Sequence, residues 1–445
     1  MTLGEMGTMR VKLAYGKEGL WVELPERNVS VVEPLFVEGL PDERSALRAA
    51  LREPFGTPPL RQLVRPDHKV AIVFSDITRP MPNDRVMPIL LEEISHVPRK
   101  NITLINGLGT HRPSTEEELS RMLGREIVEN YRIIQHNAWD KDNLVHLGRT
   151  SFGHELWVNR TFMEADFKIL TGFIEPHFFA GFSGGPKAIL PSIAGEESIF
   201  GNHGARMIAH PKATWGITHG NPLWEEMREA AEKAKPDFLL NVTLNRDRQI
   251  TGVFAGDIWK AHEEGTRFAR KSAMVSVPAP FDIVITSNSG YPLDLNLYQM
   301  VKGMSAAAQV VKEGGSIIIA GEAWDGIPDH GQYKNILQMA ESPEKLLGII
   351  NAPDFLMQDQ WQVQIQAQIQ LKAEVYVKSS YLSDEQIRQA LLRPCHSIEE
   401  TLSELLSRYG PEATICVLPE GPQTIPYVAS SRIAHSIESL YNITA

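Results

Sequence analysis

The sequence predicts an α/β protein of two domains, each built on a mostly parallel, doubly wound sheet. Three observations point there. The chain has 445 residues, more than one hydrophobic core normally organises. Short apolar runs that end in Gly, Ser or Asn recur along it, the pattern of buried strands. Segments with helical patterning stand between those runs, and strand alternating with helix is the signature of a parallel sheet.

In chain order the strand candidates are VAIVF at 70–74, ITLINGLG at 102–109, FKILTGF at 167–173, FDIVITSN at 281–288 and SIIIAG at 316–321. Helix is expected over TEEELSRML, 115–123, with acids in its first turn and Ser114 as N-cap. A second amphipathic helix is expected over 221–236, stopped by Pro236. Others follow at 297–311, after a strand, and at 397–410, ending at a Gly. The stretch QWQVQIQAQIQLKAEVYV, 360–377, alternates polar and apolar residues and reads as a half-exposed strand, with a Gln-rich helix as the competing assignment. Helical pattern is lost at KSAMVSVPAP, 271–280, which carries two prolines. The domain break is placed there. It gives an N-terminal domain over 1–275, rejoined by 415–445, and a C-terminal domain over 276–414. Patterned sequence begins at Arg10, which makes Met9 an alternative start.

Composition narrows the function. Net charge is −11 with no concentrated Lys/Arg block, which argues against nucleic acid or a membrane surface as partner. Two cysteines, Cys395 and Cys416, cannot form a disulfide framework or a Cys-rich metal site, and they suit a reducing cytoplasm. No apolar run is long enough for a transmembrane helix, and no secretory leader pattern opens the chain.

Four polar clusters fall at expected strand ends, where open α/β sheets bind ligands. FSDITRPMPND, 74–84, offers Asp76, Thr78 and Arg79. Arg79 can hold a carboxylate or phosphate with two bonds, or simply pair within the turn. NGLGTHRPST, 106–115, offers His111 as a general base, although a lone His is more often structural. EPHFFAGFSGGPKAILPSIAG, 175–195, continues to FGNHG and holds His177, Lys187 and His203 beside Gly181, Gly184 and Gly185. It is neither a Walker loop, since Pro186 precedes Lys187, nor a zinc motif. SNSGYPLDLNLYQMVKGM, 287–304, places Tyr298, Gln299 and Lys302 on the first turns of a helix, with Gln299 and Lys302 on one face. Together the clusters hold three His, three cations and an amide. That inventory suits acid–base chemistry on a small anion, with one metal held by few protein ligands.

These same segments, in this order over residues 10 to 430, resemble the nickel-dependent lactate racemase family. The resemblance implies two α/β domains with the active site in the cleft between them. It implies a nickel-pincer nucleotide, a pyridinium mononucleotide whose two sulfurs and one ring carbon hold nickel together with one protein His. By resemblance Lys187 carries the cofactor covalently and His203 is the metal ligand. His111 and His177 are the two catalytic bases. Arg79, Gln299, Lys302 and Trp361 bind substrate. Asp76, Thr78, Gly184, Gly185 and Tyr298 contact the cofactor. Ser192 stands where the family pattern leads one to expect Gly. The implied reaction is racemisation or epimerisation of a 2-hydroxy acid through a 2-keto acid, by hydride removal and return. The implied partners are the small substrate and the cofactor-synthesis enzymes. Two alternatives remain at this point: an NAD-dependent 2-hydroxy acid dehydrogenase, which lacks its strand–GxGxxG–helix here, and a non-catalytic binder of an anion or of the nickel nucleotide.

Overall fold

The computed structural model describes residues 7–429. Two six-stranded sheets carry the architecture. In the first the strands lie in the order Ile250–Gly256, Phe238–Leu244, Phe167–Phe173, Val70–Ser75, Ile102–Gly107, Arg132–Gln135. Only the pairing of Ile250–Gly256 with Phe238–Leu244 is antiparallel. In the second the order is Arg393–Pro394, Ala373–Lys378, Val311–Ala320, Phe281–Ser287, Ile415–Leu418, Val29–Val31, and every pairing is parallel. The near-continuous apolar runs follow from this. Central strands such as Val70–Ser75 and Phe281–Ser287 are covered on both faces, so nearly every residue is buried.

Each sheet reverses its winding beside one strand. From Val70–Ser75 the chain moves outward through two strands and then returns to lay Phe167–Phe173 on the opposite flank. From Phe281–Ser287 it moves outward through three and returns to lay Ile415–Leu418. The carboxyl ends of strands at such a reversal splay their loops apart and leave a crevice.

Three expectations are corrected. The stretch QWQVQIQAQIQLK is a helix, Gln360–Lys372, and the strand is confined to Ala373–Lys378. Alternation signals a strand only when the polar residues face water. Here Gln362, Gln364 and Gln366 are buried, and each donates to a backbone carbonyl: Tyr298, Ala205 at 2.9 Å and Ala390 at 2.8 Å. A helix enclosed on all sides needs no apolar stripe. Second, the N-cap of Glu116–Leu123 is Thr115, which forms a capping box with Glu118, while Ser114 accepts from Asn106 at 3.0 Å. Third, the described segments Val29–Val31 and Ile415–Leu418 join the second sheet rather than the first. Ile415–Leu418 lies inside that sheet, and Val29–Val31 forms its edge. The hairpin Thr8–Leu13/Leu20–Pro25 buries Val11, Leu13, Val22 and Leu24 with Ile283, Ile285 and Ile318. Ile425–Val428 pairs in parallel with Met274–Val277, the strand that straddles the expected break. Residues 430–445 lie outside the described part.

Candidate active site

The loop after Val70–Ser75 begins with Asp76, which is only 4% exposed. A buried carboxylate must be hydrogen-bonded. Asp76 accepts from Thr78 Oγ1 at 2.8 Å and pairs with His111 Nδ1 at 2.7 Å. Burial pushes the Asp76 carboxyl up, but His111, Arg79 and Thr78 outweigh it and hold it below its ordinary range. His111 follows the tight turn at Gly109 (φ 55°) after Ile102–Gly107, and the capped helix behind it fixes where the turn ends.

The glycine-rich loop follows Phe167–Phe173. It opens with a minimal hairpin in which His177 pairs with Gly181. Gly181 has φ 77°, and a Cβ there would lie 2.4 Å from the Ile217 carbonyl, so only glycine lets the hairpin close. His177 Nδ1 accepts from the amides of Ala180 at 3.3 Å and Phe179 at 3.5 Å. Lys187 sits in the single turn Gly185–Ala188. Ser192 does not adopt a positive φ, so its place in this loop does not require glycine. His203 closes the helix Glu196–Asn202, with its amide on Ile199 at 2.8 Å. From the second sheet comes the helix Leu297–Ala308, N-capped by Asn296, which presents Tyr298, Gln299 and Lys302. The buried helix Gln360–Lys372 presents Trp361, whose Nε1 donates to Tyr298 OH at 3.0 Å.

Arg79, His111, His177, Lys187, His203, Tyr298, Gln299, Lys302 and Trp361 all line one cavity. The four remaining predicted residues do not line it. Asp76 and Thr78, expected as cofactor contacts, stand behind His111. Gly184 and Gly185 stand behind Lys187, where they let the loop pack.

The cavity is electropositive and crowded. Burial and then Arg79 and Lys302 pull the Lys187 amine down to about 7, against Glu175. Burial and then Arg79 bring Lys302 down to about 7, with Glu175 and Asp76 opposing. His177 falls well below its ordinary value through burial, then Lys187, Lys302, Arg79 and His203. His203 falls to about 3 through burial and Lys187. Its Nδ1 is buried with no hydrogen-bond partner, and so is the Gln299 Oε1. Phe179 and Trp361 meet the His203 ring edge-on at 5.1 Å. Such a site has unfilled demand for an anion and for something that coordinates neutral imidazole. Among the described residues no group of three or more His, Cys, Asp or Glu is placed to hold a metal by itself.

Sequence reasoning passed over several supporting residues. Glu175, the single acid of the glycine-rich stretch, lies among the three cations and opposes them. Glu226, 1% exposed, accepts from Thr150 at 2.6 Å, His154 at 2.8 Å and Asn202 at 3.0 Å, and so anchors the residue before His203. A buried acid on an otherwise amphipathic helix carries no local signal of this.

Comparisons with known proteins identify the family and the fold. The model of the lactate racemase N-terminal domain matches residues 15–216, and that of the lactate racemase C-terminal domain matches 277–425. The chain belongs to the lactate racemase family. All the site residues named from sequence fall within the two matched segments. The chain is 37% identical over 417 residues to the lactate racemase of Lactiplantibacillus plantarum, covering 92% of this chain and 98% of that one. It is 35% identical over 420 residues to the lactate racemase of Thermoanaerobacterium thermosaccharolyticum, covering 93% and 98%. The structure of the lactate racemase apoprotein from the latter organism superposes with a TM-score of 0.88 at 34% identity, over 94% of this chain and all 100% of that one. A Thermotoga maritima protein shares the fold, with a TM-score of 0.69 at 18% identity.

Proposed function

We propose that this member of the racemase family is a racemase or epimerase of a small 2-hydroxy acid that works with a nickel-pincer nucleotide joined to Lys187. Membership makes the chain an isomerase by family, which displaces the dehydrogenase and the non-catalytic binder. The observation that carries the finer reading is convergence: three histidines, two amines brought down to about 7, Arg79 and Gln299 share a single cavity.

The residues fit the group. Lys187, with its amine near 7, is unprotonated often enough at neutral pH to be a nucleophile for attachment. His203 lines the cavity and is held neutral down to about pH 3 by burial and Lys187, against the Ile199 backbone, so it can offer a ring nitrogen to a metal. When bound, the group supplies a place for the hydride that leaves Cα and for its return. The chain's own residues do the rest. Arg79 and Lys302 hold the substrate carboxylate, and Gln299 offers its amide. His111 takes the hydroxyl proton of one enantiomer through Nε2, since its Nδ1 proton is held by Asp76. His177 serves the other. Phe179, Trp361 and Phe178 keep water from the 2-keto acid while it turns over. Lys302 must be charged to hold a carboxylate, so affinity should fall as pH rises through about 7 in the free chain. Among the described residues no helix is long and apolar enough to cross a membrane, and we place the enzyme in the cytoplasm with the cofactor-synthesis enzymes.

The deciding experiment produces the protein together with those enzymes and assays a panel of 2-hydroxy acids by chiral chromatography, with nickel analysis and peptide mass spectrometry. Interconversion of the two hands of at least one acid, with nickel bound and a mass adduct on Lys187, is the expected result. Protein carrying nickel and the adduct that interconverts none of them overturns the substrate class.

A further inference from the structure

Two buried polar side chains outside the cavity press on the loop that carries Lys187. Asn241 sits in Phe238–Leu244 and is fully buried. Its Oδ1 accepts from the Gly185 amide at 2.9 Å. His262 sits on the helix Ile258–Ala273 and is 3% exposed. Its Nε2 donates to the Ser183 carbonyl at 3.0 Å. The contacts are close on both sides of the turn. A Cβ on Gly184 would lie 2.6 Å from Asn241 Oδ1, and a Cβ on Gly185 would lie 2.6 Å from the His262 ring. Both glycines have positive φ, 77° and 54°. The turn is therefore shaped to receive these two side chains, and Lys187 follows two residues later. Neither residue lines the cavity, and both fall between the two segments that the family models match.

We propose that Asn241 and His262 are positioning residues that clamp the Gly184–Gly185 turn and thereby hold the Lys187 side chain inside the cavity. A polar residue in the middle of an apolar strand costs free energy unless it is satisfied. Asn241 uses its Oδ1 on Gly185 and its Nδ2 on the Leu240 carbonyl at 3.1 Å. Burial brings His262 down to about 4, so it stays a neutral donor across the neutral range and the clamp does not loosen with pH there. Opposing it is the tendency of the Lys187 ammonium to leave. That amine faces Arg79 and Lys302, and among the charged groups acting on it only Glu175 attracts it. A loop free to move would let the ammonium reach water, where a lysine titrates near 10.4. The clamp keeps the amine buried, and a buried amine is the one that can be acylated near pH 7.

The inference deepens the reading of Lys187 as the attachment residue, but its first test does not depend on that reading. In protein made without the cofactor-synthesis enzymes, competitive acetylation across pH followed by peptide mass spectrometry reads the titration of Lys187. The wild-type chain should show an apparent value near 7. His262→Phe and Asn241→Leu should move it by more than one unit towards the ordinary lysine value, while His262→Gln, which can still donate to Ser183, should stay near wild type. Covalent loading of co-produced protein should fall several-fold in the first two and be restored in His262→Gln. If Asn241→Leu does not fold, the His262 pair decides alone. A folded His262→Phe whose Lys187 titrates as in wild type overturns the clamp, as does a His262→Gln that behaves like His262→Phe. Wild-type Lys187 titrating as intended but never carrying an adduct would overturn the attachment reading and leave the clamp standing.

Discussion

His111 and His177 face one cavity from opposite surroundings. The His111 side chain is 31% exposed and donates its Nδ1–H to Asp76, so its Nε2 is a free acceptor. His177 is 8% exposed and its Nδ1 accepts backbone amides, so the proton of its neutral ring sits on Nε2. A proton arriving at His111 meets a carboxylate. A proton arriving at His177 meets Lys187, Lys302 and Arg79. The free chain thus has one base ready at His111, while the neutral His177 ring can only offer a hydrogen bond through Nε2 and becomes a base when its proton moves to Nδ1. An anionic substrate and an amide-linked Lys187 would each weaken the cationic field around His177, so its role depends on a loaded site and that of His111 does not. The equilibrium constant of a racemisation is one, so kcat/KM must be equal for the two hands at every pH. The asymmetry can appear only in kcat, in KM, or in a single turnover.

The largest effect that could break this comparison is loss of either base. His111→Ala and His177→Ala should each lower racemisation by about 10²–10⁴. A single turnover of loaded enzyme, quenched and assayed for 2-keto acid, separates them. The enantiomer that uses the surviving His should still yield keto acid in each variant, and the surviving hand should swap between variants. Loss of both hands alike in both variants sinks the two-base assignment.

Next comes Asp76→Asn, which removes the carboxylate under His111 and leaves the shape. A hydrogen bond to a charged partner contributes about 1.5–3 kcal/mol, so the loss should be on the order of 10–10²-fold. It should fall on the single turnover of the hand that His111 serves and spare the other. Equal losses for both hands would mean that Asp76 supports the whole loop rather than one base.

How much of this could be read before the structure depends on what each signal encodes. The strand ends were legible because buried parallel strands leave continuous apolar runs, and Asp76, His111 and His177 stand at or just past those ends. The glycine-rich loop was legible because a chain that turns tightly uses residues without Cβ, as Gly181, Gly184 and Gly185 do, although what they make room for is Ile217, Asn241 and His262 rather than a ligand. The helix Gln360–Lys372 was misread because its glutamines answer to backbone carbonyls of distant segments, which no local window contains. Val29–Val31 and Ile415–Leu418 were misassigned because parallel partners are chosen across hundreds of residues. Asn241 left a trace, a lone amide in FLLNVTL, but nothing local says that it reaches Gly185. His262 left none.

The smallest expected effect tests whether the asymmetry stops at the two bases. Trp361 lies on neither side of it. The ring meets His203 edge-on at 5.1 Å, and its Nε1 donates to Tyr298 OH at 3.0 Å. Burial holds the Tyr298 hydroxyl well above its usual range, so it remains a proton donor into the cavity while it accepts from Trp361. Trp361→Phe keeps an aromatic edge near His203 and removes only the N–H. One neutral hydrogen bond contributes about 0.5–1.5 kcal/mol, which predicts a loss of roughly 2–10-fold in kcat. The two hands should lose equally, because Tyr298 and His203 are common to both, and nickel content should be unchanged because the ring contact survives. A loss confined to one hand would place Trp361 with a single base. A loss of nickel would instead show that the indole, through its packing on His203, helps to seat the metal.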